Sequence, residues 1–116
     1  MYGSDPAQPI PRKNQNKPPV DLVPPALMLG AARALGHGAG KYRASDPFNF
    51  LRAYTFRTVY ASLTRHLLAW YQGQEQDEES GLSHLDHVAA NLSMLLHYEA
   101  ANISKDDRPY NICEDE

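Results

Sequence analysis

Apolar residues recur every three or four positions along two stretches of the chain, and this period limits its fold more than any other feature. The first stretch spans about residues 51–72, with apolar positions at Phe56, Val59, Tyr60, Leu63, Leu67 and Trp70. The second follows Ser83, a good helix N-cap, and fades near residue 101, with apolar positions at Leu85, Val88, Ala89, Leu92, Leu95 and Leu96. This period is typical of helices that bury one face, and we find no convincing strand pattern. We therefore predict an all-α fold.

One further helix is predicted before these two, so it is the first along the chain and the other two are the second and third. It opens at Pro24-Pro25, continues through alanines and leucines, and is expected to end at Gly36, Gly38 and Gly40. Residues 1–19 are predicted to form an extended arm, residues 20–102 one all-α domain, and residues 103–116 a loose acidic tail. A small bundle of about three main helices leaves apolar surface to cover, so we expect a homo-oligomer, either a dimer or a tetramer.

The formal net charge of -3 is unevenly distributed over the 116 residues. Residues 1–72 carry a net +6 and residues 73–116 a net -9. A duplex-DNA binder would present a broad basic face, so we expect no nucleic-acid polymer as a partner. No apolar run approaches the roughly 20 residues of a membrane span, and we expect no signal peptide and no membrane association. With Cys113 as the single cysteine, these features predict a cytoplasmic protein without an internal disulfide.

Carboxylates are concentrated between residues 75 and 86, at Glu75, Asp77, Glu78, Glu79 and Asp86. Carboxylates on a loop can wrap a hard cation such as Mg²⁺ or Mn²⁺, and we expect Asp77 and Glu79 to be its main ligands, helped by the other three. Two structural roles stay open for the same residues. The acidic run can complement the dipole of the following helix, and Ser83 with Asp86 resembles a capping box, a role compatible with metal binding.

Cationic and imidazole side chains lie beside this acidic segment. Arg65 and His66 are embedded in the apolar stretch of the second helix, which favours a phosphate or carboxylate partner. On the third helix, His84, His87 and Asn91 share one face. A zinc site built from His66, His84 and His87 with an Asp or Glu is a rival, although the H-E-x-x-H spacing is missing.

Residues 37–42 (HGAGKY) resemble a phosphate-cradling turn, since small residues expose backbone N–H groups and Lys41 follows them. The spacing is not that of a Walker A motif, and the glycines could equally do no more than end a helix. Nearby, Tyr42, Phe48 and Phe50 are able to stack on a base or to join the core.

Several segments, taken in order, resemble the small phage-type dATP/dGTP diphosphohydrolases, relatives of the MazG-like all-α nucleoside triphosphate pyrophosphohydrolases. The short ones are residues 17–25 (KPPVDLVPP), 38–42 (GAGKY) and Asn49-Phe50. The longest runs from Arg65-His66-Leu67 through the acidic residues to His84, His87 and Asn91. The resemblance covers about residues 17–98. The E-E-x-x-E pattern of MazG-like helices is missing from the first and second helices here.

This resemblance implies an all-α oligomer that uses Mg²⁺ or Mn²⁺ to cleave dGTP and dATP to the monophosphate and pyrophosphate. In a phage, the dGMP would feed synthesis of a modified purine such as 2-aminoadenine in the host cytoplasm. Together with the residues above, it makes Asp77, Glu79, His66 and His84 the expected catalytic residues. Phosphate contacts are expected from Lys17, Lys41, Arg65 and His66, and base or sugar contacts from Tyr42, Asn49, Phe50 and Asn91.

Three further classes of function stay open. A non-catalytic nucleotide-binding or regulatory helical module would bind nucleotide without turnover and use the carboxylates as caps and solvated charge. An HD-type triphosphohydrolase would release nucleoside and triphosphate, but Asp86-His87 reverses its His-Asp order. A small structural protein would instead dock its Pro-rich arm on a partner.

Overall fold

A computed structural model of the protein describes residues 16–42, 46–52, 54–102 and 106–110. Most of the predicted arm and part of the predicted tail, including Cys113, lie outside these ranges. The described residues form three α-helices, α1 (Pro25–Tyr42), α2 (Phe56–Tyr71) and α3 (His84–Ala100). Two short 3-10 turns, Val20–Leu22 and Asn49–Leu51, precede α1 and α2. The predicted all-α fold with three main helices is confirmed.

The helix boundaries follow local capping chemistry. At the start of α2, Thr55 accepts a hydrogen bond from the backbone N–H of Thr58, and at the start of α3 Ser83 accepts one from that of Leu85. Gly73, with φ of +104°, follows the end of α2, as predicted. The second helix starts about five residues later than predicted, because residues 49–51 form a separate 3-10 turn.

The glycines of α1 do not end the helix, which continues to Tyr42. The prediction of a phosphate-cradling turn at residues 37–42 is therefore wrong, because that segment is helical and its backbone groups are committed to the helix.

Gly30, in the middle of α1, lies at a close contact between helices, since a Cβ atom there would lie 2.5 Å from Asp86 Oδ1. The missing side chain lets α1 approach α3 closely at this point.

The third helix is the central element, because it packs against both α1 and α2. The apolar core is formed by Val59, Met94 and Tyr98, with Phe50 and Phe56 among the partly buried residues against it. Tyr98 is fully buried, and its hydroxyl donates a hydrogen bond of 2.6 Å to the carbonyl oxygen of Phe50. This bond ties the 3-10 turn before α2 to the third helix.

The buried face of α3 differs from the predicted leucine stripe. Leu85, Leu92 and Leu96 are 41%, 44% and 56% exposed, whereas the buried residues are His84, Asp86, Ala89, Ala90, Asn91, Met94 and Tyr98. Polar side chains occupy this interior because they find partners on the other helices. Large apolar side chains are also exposed on the other two helices, among them Leu27, Met28, Leu29, Tyr60, Leu67, Leu68, Trp70 and Tyr71.

The described part of the tail contacts the start of α2, in contrast to the loose tail that was expected. The backbone N–H of Arg57, in the first turn of α2, donates a hydrogen bond of 2.9 Å to Asp107. The guanidinium of Arg108 lies 5.3 Å from the centre of the Phe56 ring. Among the described residues, no helix is both long and apolar enough to cross a membrane.

Candidate active site

The acidic segment between α2 and α3 folds as a tight turn. The backbone N–H of Asp77 donates to the carbonyl of Leu82 at 2.8 Å, and that of Gly81 donates back to the carbonyl of Asp77 at 2.7 Å. Gly81 has φ of +75°, a conformation that favours glycine. The Asp77 carboxylate also accepts the backbone N–H of Ser80 at 2.8 Å. These bonds fix the position of the Asp77 side chain rather than leaving it to wrap freely around an ion.

Three histidines from two helices meet beside this turn. His66 comes from α2, and His84 and His87 come from α3. The Nδ1 atoms of His66 and His84 are 2.8 Å apart, and the rings of His66 and His87 stack at 4.3 Å with an angle of 9° between them. His84 is almost fully buried, and its Nε2 lies 2.9 Å from the side-chain oxygen of Gln74. That oxygen can only accept, so Nε2 carries the proton, and the Nδ1 lone pair accepts a hydrogen bond from Nδ1–H of His66.

Asp77 completes a compact group of potential metal ligands with two of these histidines. One nitrogen from each of His66 and His84 and one carboxylate oxygen of Asp77 all lie within 4.8 Å of one another. His87 lies at the edge of the group, with its Nε2 2.7 Å from the hydroxyl of Ser80 and 3.9 Å from Asp77. Two imidazole nitrogens and a carboxylate are a donor set that fits a divalent ion.

The protonation of these groups favours metal binding. Burial is the largest cause that lowers the pKa of His66 and of His87. Asp77 raises both pKa values and neighbouring histidines lower them, and the net direction is downward, so both rings favour the neutral form. For Asp77, burial raises the pKa, but hydrogen bonds from Ser80 and the nearby histidines lower it more, so the net direction is downward. The result is an ionised Asp77 carboxylate beside the neutral rings of His66 and His87, the protonation state that metal coordination requires of such groups.

The ligand group opens into a cavity of about 610 Å³ between the three helices. Its lining includes the polar residues Arg65, His66, Asp77, Glu79, His84 and His87, together with His37, Gly38, Asn49, Phe50, Ser62 and Asn91. A volume of this order is usual for sites that enclose a small organic ligand. Asn91 is buried, and its amide nitrogen donates to the Ser62 hydroxyl at 3.1 Å. The candidate metal site therefore lies in the wall of a cavity that also has an oriented polar side chain, Asn91, in its wall.

Not every residue expected at the site lies there. Eight of them line the cavity, namely Arg65, His66, Asp77, Glu79, His84, Asn49, Phe50 and Asn91. Lys17, Glu75 and Glu78 are exposed and lie outside the cavity lining. The Glu75 backbone carbonyl has a structural role, since it accepts the N–H of His84 at 2.8 Å. The side chains of Lys41 and Tyr42 are outside the described part of the structure.

Asp86 has a different partner from either of those expected. Its two oxygens accept hydrogen bonds from Nε and Nη2 of Arg33 on α1, at 2.9 and 3.2 Å. It therefore links two helices through an ion pair rather than completing a capping box with Ser83. It also lies outside the cavity lining, which leaves no support for it as a metal ligand.

Three further residues shape the site without having been expected there, namely Gln74, Ser80 and Ser62, and His87 had been expected only in the rival zinc site. His87 was detectable, since it lies three residues after His84 on the same helical face. Ser80 follows Asp77 by three residues, as in side-chain-capped turns, but that pattern is weak by itself. Gln74 and Ser62 carry no local signal, because their roles depend on which helices come together.

Comparisons with known proteins point to one family. The family model described as "dATP/dGTP diphosphohydrolase, N-terminal" matches residues 7–108. A protein of Salmonella phage PMBT28 named dATP/dGTP diphosphohydrolase is 26% identical over 98 residues, which cover 84% of this chain and 32% of that protein. The matched region thus spans about a third of the length of this relative. No solved structure matches the chain significantly.

Proposed function

The chain belongs to the dATP/dGTP diphosphohydrolase N-terminal family, and on that premise we propose that it is a metal-dependent dGTP and dATP diphosphohydrolase. The reaction would be hydrolysis between the α- and β-phosphates, with a deoxynucleoside monophosphate and pyrophosphate as products. A supply of dGMP for modified-purine DNA synthesis in a phage is the biological use that fits such products. The named activity of the phage relative is of the same kind.

One observation carries the proposal. The ligand group of His66, Asp77 and His84 lines a cavity that is also lined by the cationic Arg65 and by the polar side chains of Asn49 and Asn91. Hydrolysis of a nucleoside triphosphate needs both a positive centre for the phosphates and a separate space for base and sugar. The two requirements meet here in a single cavity.

We assign the phosphate end to residues on α2, α3 and the turn between them. A divalent ion such as Mn²⁺ or Mg²⁺, held by His66, Asp77 and His84, would act as a Lewis acid on the triphosphate and favour attack by water. Arg65 lines the same end and is placed to offset phosphate charge. Glu79 also lines it, as a further carboxylate within reach of a cation.

We assign the base and sugar to the part of the cavity that is lined by residues other than the ligand group. Phe50 offers a ring, and Asn49 and Asn91 offer amide groups. Asn91 is held by Ser62, so its amide is already oriented before substrate enters, which lowers the entropic cost of binding. Neighbouring copies in a homo-oligomer would cover the exposed leucines of α2 and α3.

The proposal is tested by analysing products. The protein is incubated with each canonical dNTP and NTP, with Mn²⁺, Mg²⁺ or EDTA, and the nucleotides are separated by ion exchange. We expect dGMP and dAMP with pyrophosphate, formed only with metal. Nucleoside with triphosphate would identify a triphosphohydrolase instead. A nucleotide-dependent rise in melting temperature without any product would favour a non-catalytic binding module, because ligand binding stabilises the native state by mass action.

A further inference from the structure

The ligand atoms of the candidate metal site are unusual for magnesium. Mg²⁺ is usually held by one or two carboxylates with waters and phosphate oxygens in near-ideal octahedral geometry. Here two of the three ligand atoms are imidazole nitrogens, from His66 and His84, and only Asp77 supplies oxygen. Imidazole suits zinc, copper, iron and nickel, and the affinity of divalent ions for nitrogen ligands rises from Mn²⁺ to Cu²⁺ and then falls at Zn²⁺.

The spacing of the two imidazoles supports a shared ion. Their Nδ1 atoms are 2.8 Å apart. Two nitrogens bound at about 2.1 Å on adjacent corners of an octahedron are about 3 Å apart. A small change in spacing, with the His66 proton moving from Nδ1 to Nε2, therefore separates the present hydrogen bond from coordination. The three ligand atoms all lie within 4.8 Å of one another. Two ligand atoms on opposite sides of such an ion are roughly 4.2 Å apart. The group therefore needs to contract by only a few tenths of an ångström to hold an ion.

Gln74 gives the site a second feature typical of transition-metal centres. A metal-binding histidine commonly donates its other ring N–H to a carbonyl or carboxylate, which fixes the tautomer and the ring orientation. The Gln74 side-chain oxygen lies 2.9 Å from Nε2 of His84. Since Nε2 then holds the proton, Nδ1 is the only nitrogen of this ring left for an ion, and it is the atom that faces His66.

We propose that this site takes a first-row transition-metal ion in preference to Mg²⁺, and that Gln74 is a positioning residue that prepares His84 as a ligand. The proposal rests on the metal site of the proposed function but not on the reaction assigned to it. His87 contributes by stacking on His66, and the Ser80 backbone N–H holds Asp77. Both contacts limit motion of the ligands before an ion arrives.

The test measures metal binding without nucleotide. Isothermal titration of the wild-type protein with Co²⁺, Mn²⁺, Zn²⁺ and Mg²⁺ is expected to give the tightest binding for Zn²⁺ or Co²⁺ and at least 100-fold weaker binding for Mg²⁺. Bound Co²⁺ should also give a visible ligand-field spectrum that is lost in His84→Ala. Equal affinity for Mg²⁺ and Co²⁺, or a Co²⁺ spectrum unchanged by His84→Ala, would overturn the proposal.

The role of Gln74 is tested with matched variants. Gln74→Leu removes the acceptor and should weaken Co²⁺ binding by about 10- to 100-fold, as loss of such outer partners typically does. Gln74→Glu keeps an acceptor and should restore the binding. Gln72→Leu, at an exposed position two residues away, should leave it unchanged. Equal affinities for the Leu variants at 72 and 74 would contradict the positioning role.

Failure of this proposal and failure of the proposed function give different results. Tight Co²⁺ binding with no product from any nucleotide would retain the metal assignment and reject the hydrolase. Turnover with Mg²⁺ in a protein that does not bind Co²⁺ would reject the metal assignment and retain the hydrolase.

The tautomer of His84 can be checked directly in the folded wild-type protein by long-range ¹H–¹⁵N correlation spectra, which should show the His84 proton on Nε2. A proton on Nδ1 would contradict the role of Gln74.

Discussion

Arg33 and Asp86 form a two-point ion pair between α1 and α3, with Nε–Oδ2 and Nη2–Oδ1 distances of 2.9 and 3.2 Å. The Asp86 side chain is 12% exposed and that of Arg33 is 54% exposed. Asp86 also lies in the first turn of α3, where a negative charge complements the helix dipole. The ion pair therefore helps to determine the packing of α1 against α3, and residues of both helices line the cavity.

Replacement of Asp86 should destabilise the fold without touching the cavity. Asp86→Ala removes two charge-assisted hydrogen bonds and a favourable charge at the start of the helix, and we expect the free energy of unfolding to fall by about 1.5–3 kcal/mol. Urea denaturation followed by circular dichroism measures it. Asp21→Asn, at an exposed position, is the control and should change little. Equal stability of the two variants would contradict the importance of the pair.

Two glycines on α1 should respond to alanine in opposite directions. At Gly30, a Cβ atom would meet Asp86 Oδ1 at 2.5 Å and disturb the ion pair, whereas at Gly36 nothing lies within 4 Å. Gly36→Ala should stabilise the protein by about 0.5–1 kcal/mol through helix propensity. Gly30→Ala should instead destabilise it by about 1–2 kcal/mol, because steric strain exceeds that gain. Thermal melting distinguishes them, and a rise in melting temperature for both would refute the close helix contact.

Loss of the Tyr98 hydroxyl should loosen the 3-10 turn that carries Asn49 and Phe50. Tyr98→Phe keeps the ring but leaves the Phe50 carbonyl without this donor, and we expect a loss of about 1 kcal/mol. Because Asn49 and Phe50 line the cavity, the KM for dGTP should rise while kcat changes less. Steady-state kinetics with Leu96→Met, at an exposed position, as the control would show this. An unchanged KM in Tyr98→Phe would show that this hydrogen bond to the turn does not affect substrate binding.

Tyr98 should also make stability fall at alkaline pH. Burial raises the pKa of its phenol above the ordinary value of 10.0, so above that value the unfolded chain loses the proton while the folded chain retains it. Fewer protons are then bound in the unfolded state, and stability decreases as the pH rises. Urea unfolding between pH 8 and pH 11 should show a steeper decline in the wild-type protein than in Tyr98→Phe. Parallel curves would exclude this contribution.

The sequence predicted the helices well because their signals are local. Period, caps such as Ser83 and the stop at Gly73 all lie within a few residues of the feature that they determine. The orientation of α3 was not predictable in this way, because hydrophobicity alone places its leucines inside. Polar pairs instead occupy the interior, and their members are far apart in sequence, 53 residues for Arg33–Asp86 and 29 for Ser62–Asn91.

The same limit applies to the candidate site. Asp77, His66 and His84 could be selected from the sequence because they fall in one short run that mixes carboxylates with imidazoles. The sequence favoured Asp77 and Glu79 over the other carboxylates but could not show which side chain lies beside the histidines. Only the turn at residues 77–82 decides that Asp77 is held there while Glu78 remains exposed. The contribution of Gln74 depends on a contact ten residues away in sequence.

The central claim is that a metal held by His66, Asp77 and His84 supports hydrolysis of a purine deoxynucleoside triphosphate. Its most direct test is the rate of dGMP and pyrophosphate formation from dGTP with Mn²⁺, compared among the wild-type protein, Asp77→Asn and Glu78→Gln. Asn can still accept the Ser80 hydrogen bond but lacks the charge, so Asp77→Asn should keep its helical circular dichroism and lose at least about 100-fold in rate. Glu78→Gln should stay within about twofold of wild type, since Glu78 is exposed outside the cavity. Comparable rates in Asp77→Asn and wild type, or no product from the wild-type protein, would contradict the account.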